Sequence, residues 1–217
     1  MTARLVVFDL DGTLVDSLRD LADSVNQLIV ECGGTPHPHD MIGDMIGEGA
    51  ATLVARAFVA ANIAQPKDAL ATFLTIYNAR LVQFTRPYTG IPETLEALGS
   101  RATLAVLTNK PLGATRQILE ALDLARHFAD EDVIGGDGPF PRKPDPGGLR
   151  HLVAQAGVAS SKAVLVGDSA IDWRTARAAG ATACLARYGF GFKGFPSADL
   201  DARDLVIDSP GELLSRL

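Results

Sequence analysis

The spacing of apolar and polar positions divides the chain into regimes of different period. Near the start, Leu5, Val6, Val7 and Phe8 form an unbroken β-branched and aromatic run, the pattern of a strand buried on both faces. From 16 to 34 the period lengthens. Leu18, Leu21, Ala22, Val25, Leu28, Ile29 and Cys32 recur at helical spacing, which predicts an amphipathic helix with Asp16 or Ser17 as N-cap and Gly33-Gly34 as its stop. Helical patterns follow near 48–61 and 66–84, separated by "NIAQP", and no strand pattern falls between 16 and 84. This block reads as all-helical.

After "RPYTG" the rhythm changes again. Apolar runs at 103–109, 132–136, 162–168 and 182–186 alternate with helical patterns near 92–99, 111–124, 145–157 and 170–179. Such alternation builds a parallel sheet covered by helices on both faces. The first strand belongs to that sheet. The expected fold is therefore α/β, a Rossmann-like core from 1–15 and 86–217 with a helical unit inserted at 16–85 and hinges near 14–16 and 85–88.

Composition narrows the class of partner. The chain has 217 residues, enough for one good-sized core, and its 47% hydrophobic and 21% charged content is that of an ordinary globular protein. A net charge of −6 argues against nucleic acid or an anionic membrane surface as the main partner, though not against a small phosphorylated molecule. No apolar stretch approaches the ~20 residues of a membrane span, and the start lacks a signal-peptide layout. A cytoplasmic protein is expected, as a monomer or homodimer. Cys32 and Cys184 lie far apart within apolar patterns and read as buried free thiols. The "TPHPHD" segment at 35–40 reads as a turn rather than a metal tract.

The candidate chemistry sits at strand ends. Parallel sheets of this kind bind ligands beyond the carboxyl ends of their strands, and those ends carry Asp9 and Asp11, then Thr108 and Asn109, then Asp168. A pair of carboxylates 4 Å apart repels by about 4 kcal/mol at an effective dielectric of 20, so Asp9 and Asp11 make poor structural choices. With Asp172 four positions beyond Asp168, the acidic groups form a cluster that calls for a hard cation, best matched by Mg²⁺. Thr108 and Asn109 supply a hydroxyl and an amide for a phosphate, next to the start of a helix. Lys143 in "PRKPDP" is the obvious fixed cation, its backbone held extended by Pro144. Two aspartates on one turn can divide the roles of nucleophile and acid/base in phosphoryl transfer.

These residues resemble the haloacid dehalogenase superfamily of phosphatases along nearly the whole chain. "DLDGTLVDS", "LTNK", "KPDP" and "VGDSAID" are similar to its four motifs in order. The resemblance implies Asp9 as nucleophile and Asp11 as general acid/base. It implies Thr108, Asn109 and Lys143 as phosphate ligands, and Mg²⁺ held by Asp9, Asp168 and the Asp11 backbone carbonyl, with Asp172 behind them. The helical insertion resembles the cap of the superfamily's first cap class. "GEGAATLVARA", "PYTGIPETLEAL", "GGDGPFPRKPDP" and "YGFG" are similar to its bacterial phosphoglycolate phosphatases, whereas Ile171 stands where these often carry Asn. That likeness implies 2-phosphoglycolate as substrate, its carboxylate meeting the loop of Gly47, Glu48 and Gly49 ahead of a helix start. Glu48 must then point away from the anion. The other readings are a phosphatase or phosphomutase for another small phosphorylated metabolite, or a non-catalytic binding protein on the same fold. A dehalogenase would not need Asp11, a phosphonatase would need Lys67 as a Schiff-base lysine, and a non-catalytic protein would have lost one of these groups.

Overall fold

The computed structural model describes residues 4–195 and 197–217. Strand β1 (Leu5–Phe8) is buried along its whole length, as its unbroken apolar run requires. A tight turn leads to β2 (Val15–Asp16) and then to four successive helices, α1 (Leu18–Glu31), α2 (His39–Gly43), α3 (Ala50–Ala61) and α4 (Ala69–Asn78). The chain returns through β3 (Arg86–Pro87), which pairs antiparallel with β2, Val15 against Pro87 and Asp16 against Arg86. Entry to the helical segment and exit from it are thus tied side by side. The rest alternates through α5 (Ile91–Gly99), β4 (Thr103–Leu107), α6 (Leu112–Ala121), β5 (Val133–Ile134), α7 (Gly147–Gln155), β6 (Ala163–Gly167), α8 (Ala170–Ala179), β7 (Thr182–Ala186), β8 (Leu205–Ile207) and α9 (Leu213–Arg216).

Six strands form one parallel sheet in the order β5-β4-β1-β6-β7-β8. Leu5 of β1 stands opposite Thr103 of β4 on one side and Ala163 of β6 on the other. The chain builds outward through β4 and β5, then crosses back to start again at β6. That reversal opens a crevice at the carboxyl ends of β1, β4 and β6.

The period of two along β1 separates two cores. Val6 and Phe8 pack in a layer with Leu95 and Leu98 of α5 and Ile118 of α6. Leu5 and Val7 face the other way, in a layer with Leu149 and Leu152 of α7 and Ala176 of α8. The first layer continues through Leu10, Leu14 and Val15 into Val25, Phe58 and Phe73 of the inserted helices. The inserted segment is therefore joined to the rest by apolar contact as well as by its two linkers.

Several elements depart from the sequence expectations. The helix read at 66–84 ends at Asn78, and the remaining residues run irregularly to β3. Ser17 holds the N-cap position of α1 but makes no capping bond with its side chain. Part of the "TPHPHD" segment starts α2, where His37 Nε2 lies 3.0 Å from the Ala57 carbonyl and His39 Nε2 lies 3.0 Å from Asp23 Oδ1. These histidines tie helices together. Strands β2, β3 and β8 are too short to show a period of two. Cys184 is a buried free thiol, whereas Cys32 is only half-buried. No described helix is long and apolar enough to cross a membrane.

Candidate active site

Asp9 follows β1 directly, and its backbone N–H still bonds the Val166 carbonyl at 2.9 Å, so the sheet sets its position. The chain then turns sharply, with Leu14 N–H donating to the Leu10 carbonyl and Gly12 N–H to that of Val15, both at 2.9 Å. Gly12 adopts φ +81°, and any Cβ there would overlap the Asp168 carboxylate. The glycine of the "DGT" turn is what lets the end of β1 approach the end of β6.

Asp9, Asp168 and Asp172 are all buried and present oxygens within 4.8 Å of one another. Lys143 Nζ lies 3.0 Å from Asp9 Oδ1 and 2.6 Å from Asp172 Oδ1. The other oxygen of Asp172 accepts hydrogen bonds from the Ser169 hydroxyl at 2.7 Å and its N–H at 3.2 Å, a capping box that starts α8. Asp168 Oδ2 accepts the Gly191 N–H at 2.7 Å. Burial pushes the Asp9 carboxyl up to about 6, with Lys143 opposing and Asp172 and Asp11 adding to the rise. Burial, then Asp172 and Asp9, likewise hold Asp168 well above the usual carboxylate range. One buried ammonium does not satisfy three buried carboxylates, and an all-oxygen donor set short of positive charge fits a hard divalent cation.

The end of β4 contributes three consecutive residues. Thr108 is buried, and its hydroxyl oxygen accepts the Lys110 N–H at 3.2 Å. The sequence expects the Asn109 amide to donate to a phosphate. Instead its Nδ2 donates to the carbonyls of Gly47 at 2.8 Å and Lys143 at 2.9 Å, while its Oδ1 accepts the Lys143 N–H at 2.8 Å. Both amide protons are spent. The Asn109 side chain therefore brackets Lys143 and fixes the 47–49 loop, while the residue itself lines the cavity described next. Next to it, Lys110 Nζ lies 3.0 Å from both oxygens of Asp11 and 2.6 Å from the Tyr77 hydroxyl, and Ser17 Oγ donates to Asp11 Oδ1 at 2.6 Å.

A cavity of about 60 Å³ opens between this edge and the inserted helices, walled by Asp9, Asp11, Thr108 and Lys110 on one side and by Leu53, Phe73 and Tyr77 on the other. Lys143 Nζ stands beside Asp9 at this edge, held by Asp172 on its other side. Gly47 and Gly49 reach the cavity and Glu48 does not. The Glu48 carboxylate turns outward to Arg56, away from the cavity, as an anion at this loop requires. Sequence reading missed Lys110, Tyr77, Ser17 and Ser169. Ser169 was legible as the first residue of an S-x-x-D capping box, and Lys110 stood inside the quoted "LTNK". Ser17 closed the motif "DLDGTLVDS" but read only as a helix N-cap, and Tyr77 carried no signal.

Comparison with known proteins agrees with this geometry. The sequence model of the haloacid dehalogenase-like hydrolases matches residues 6–186. A phosphoglycolate phosphatase of Rhodospirillum rubrum is 42% identical over 196 residues, covering 86% of this chain and 80% of its own. Phosphoglycolate phosphatase 1 of Pseudomonas aeruginosa is 37% identical over 218 residues, covering 97% and 78%. Among solved structures, that of a predicted phosphoglycolate phosphatase from Haemophilus somnus superposes with a TM-score of 0.91 at 29% identity, covering 100% of this chain and 98% of that one.

Proposed function

The chain belongs to the haloacid dehalogenase-like hydrolase family and is a phosphatase, and on that premise we propose that it hydrolyses 2-phosphoglycolate through a phosphorylated Asp9. The observation that carries the proposal is the meeting of Asp9, Asp168, Asp172 and Lys143 at the reversal point of the sheet, beside a cavity that Asp9 and Asp168 line. The names of the relatives support the choice of substrate.

In this reading Asp9 Oδ attacks phosphorus, the ester P–O bond breaks, and the departing glycolate oxygen takes a proton from Asp11. Asp11, now a carboxylate, removes a proton from water as that water attacks phosphorus. The bond from phosphorus to Asp9 breaks, restoring the carboxylate and releasing inorganic phosphate. Thr108 offers a hydroxyl proton to the phosphoryl group. Lys143 neutralises and orients Asp9, with Asp172 holding Lys143 in turn. Asp9, Asp168 and the Asp11 backbone carbonyl would hold Mg²⁺, which when bound supplies positive charge against the phosphoryl oxygens. The substrate carboxylate would face the backbone of Gly47 and Gly49 at the start of α3. We further propose that residues 16–85 act as a cap that opens and closes on the paired linkers, excluding water during turnover.

The test is phosphate release from a panel of phosphorylated metabolites by the Mg²⁺-loaded protein. Turnover should be highest on 2-phosphoglycolate, vanish in excess chelator, and vanish in Asp9→Asn, which keeps the shape but loses the nucleophile. Preference for a hexose phosphate by tenfold in kcat/KM, about 1.4 kcal/mol, would remove the substrate assignment and leave the phosphatase in place. Normal turnover of Asp9→Asn would remove the covalent mechanism.

A further inference from the structure

Lys110 is a buried cation for which the mechanism above has no task. Its side chain is 4% exposed, and it reaches Asp11 from the end of a different strand. An ammonium has three protons to donate. Here they meet Asp11 Oδ1, Asp11 Oδ2 and the Tyr77 hydroxyl, at 3.0, 3.0 and 2.6 Å. None is left over to bind substrate. A buried ion pair of this kind adds little net stability, because desolvation offsets its attraction. What it does add is orientation: bonded at both oxygens and bonded again at Oδ1 by Ser17, the Asp11 carboxylate has its plane fixed.

Tyr77 sets the position of Lys110 in turn. It lies on α4, in the inserted segment, whereas Asp11 and Lys110 follow β1 and β4 of the sheet. Its ring stacks on Phe73 at 5.8 Å and 8°, and the Lys110 ammonium lies 4.5 Å from the ring centre. Tyr77 is 3% exposed, and its hydroxyl accepts the ammonium at 2.6 Å.

We propose that Tyr77 and Lys110 form a positioning relay from the inserted helices to Asp11, aligning that carboxylate for proton transfer when α4 lies over the crevice. The proposal rests on reading Asp11 as the acid/base of the phosphatase. It predicts that loss of the relay hurts reactions in proportion to their need for a proton. A glycolate oxygen leaves only if protonated, whereas nitrophenolate leaves as the anion.

The experiment measures phosphorylation of Asp9 by rapid acid quench, using Mg²⁺-loaded enzyme saturated with 2-phosphoglycolate or with 4-nitrophenyl phosphate. Tyr77→Phe keeps the ring stack and removes only the hydroxyl. It should slow phosphorylation by 2-phosphoglycolate about tenfold or more and by 4-nitrophenyl phosphate less than about threefold. Lys110→Met should show the same split more strongly, and Lys110→Arg should recover part of it. Equal slowing with both substrates, no slowing with either, or a rise in KM confined to 2-phosphoglycolate would overturn the relay. Asp11→Asn serves as the reference. If it lacks the split, the acid/base reading itself fails; if it shows the split and the Tyr77 and Lys110 variants do not, only the relay fails.

Discussion

Replacing Asp20 by alanine would remove the carboxylate that anchors the second linker to α1. Asp20 is fully buried, and its Oδ2 accepts the Phe84 N–H, the Thr85 N–H and the Thr85 hydroxyl, each at 2.8 Å. Arg80 Nε lies 3.9 Å from the other oxygen. Thr85 is fully buried too, so two of the three donors cannot turn to water when the carboxylate is gone. A stranded buried donor costs about 1–3 kcal/mol, and removing one partner of a buried charged network costs about 3–5 kcal/mol. Because the three donors share one acceptor and Phe84 is only half-buried, the single-donor costs do not simply add. The expected loss for Asp20→Ala is about 3–5 kcal/mol, which at roughly 2–4 °C per kcal/mol lowers Tm by about 6–20 °C. Urea unfolding followed by circular dichroism measures it, provided the slope with denaturant stays that of the parent protein. Thr85→Ala alone should cost about 1 kcal/mol and should cost nothing further in the Asp20→Ala background. A loss below about 1 kcal/mol for Asp20→Ala, or an equal Thr85→Ala cost in both backgrounds, would refute the assignment of Asp20 as the anchor.

Gly12→Ala places a Cβ on the Asp168 carboxylate at φ +81°, so turnover should fall by at least about 100-fold, the cost of roughly 1 Å of misplacement at a site; near-normal kinetics would show that the turn yields easily. Asn109→Ala frees the backbone of Lys143 and Gly47 together, and kcat should fall with substrates that carry a carboxylate and with those that do not; an effect confined to KM would restore the direct phosphate contact. The metal-free protein should lose stability as pH rises from about 4 to 6. Asp9 at about 6 in the fold against 3.8 unfolded means the folded state holds more protons across that window, giving a negative slope worth about 2–3 kcal/mol from Asp9, to which the raised Asp168 adds in the same direction. Chemical denaturation in chelator at pH 4 and pH 7 checks the sign, and Mg²⁺ should flatten or reverse the slope. Gly49→Val, at φ +91° and with its Cβ 3.0 Å from Arg142 Nη1, should raise KM for 2-phosphoglycolate more than for an aryl phosphate; equal effects on both would detach the loop from the carboxylate.

Much of this molecule follows from its sequence alone. The unbroken run of β1, the later strand–helix alternation and the helical period of 16–34 each report burial, and burial is a local pattern because side chains alternate or spiral along their own element. The parallel sheet and the helical insertion could therefore be read directly. So could Asp9, Asp11, Thr108 and Asp168, because strand ends in such a sheet share one edge and that edge is where ligands bind. Even the outward turn of Glu48 follows from charge, since a carboxylate repels an anion at the same loop.

Partnership was not legible. Whether the Asn109 amide meets a phosphate or the backbone of Lys143 depends on a loop 34 residues away. Lys110 could be placed next to the site from "LTNK", but its partners come from the ends of β1 and α4, one 99 residues distant and the other 33. Tyr77 carried only the mark of an apolar helix position, since a buried aromatic ring and a ring that offers its hydroxyl to a lysine have the same period. The tying of β2 to β3 escaped for a related reason, two residues being too few to show any period. Sequence determined which residues are buried and which strand ends converge, because those depend on spacing along one element; only the folded chain decided which polar groups satisfy one another, because hydrogen bonds are short and directional and their partners here lie on different elements.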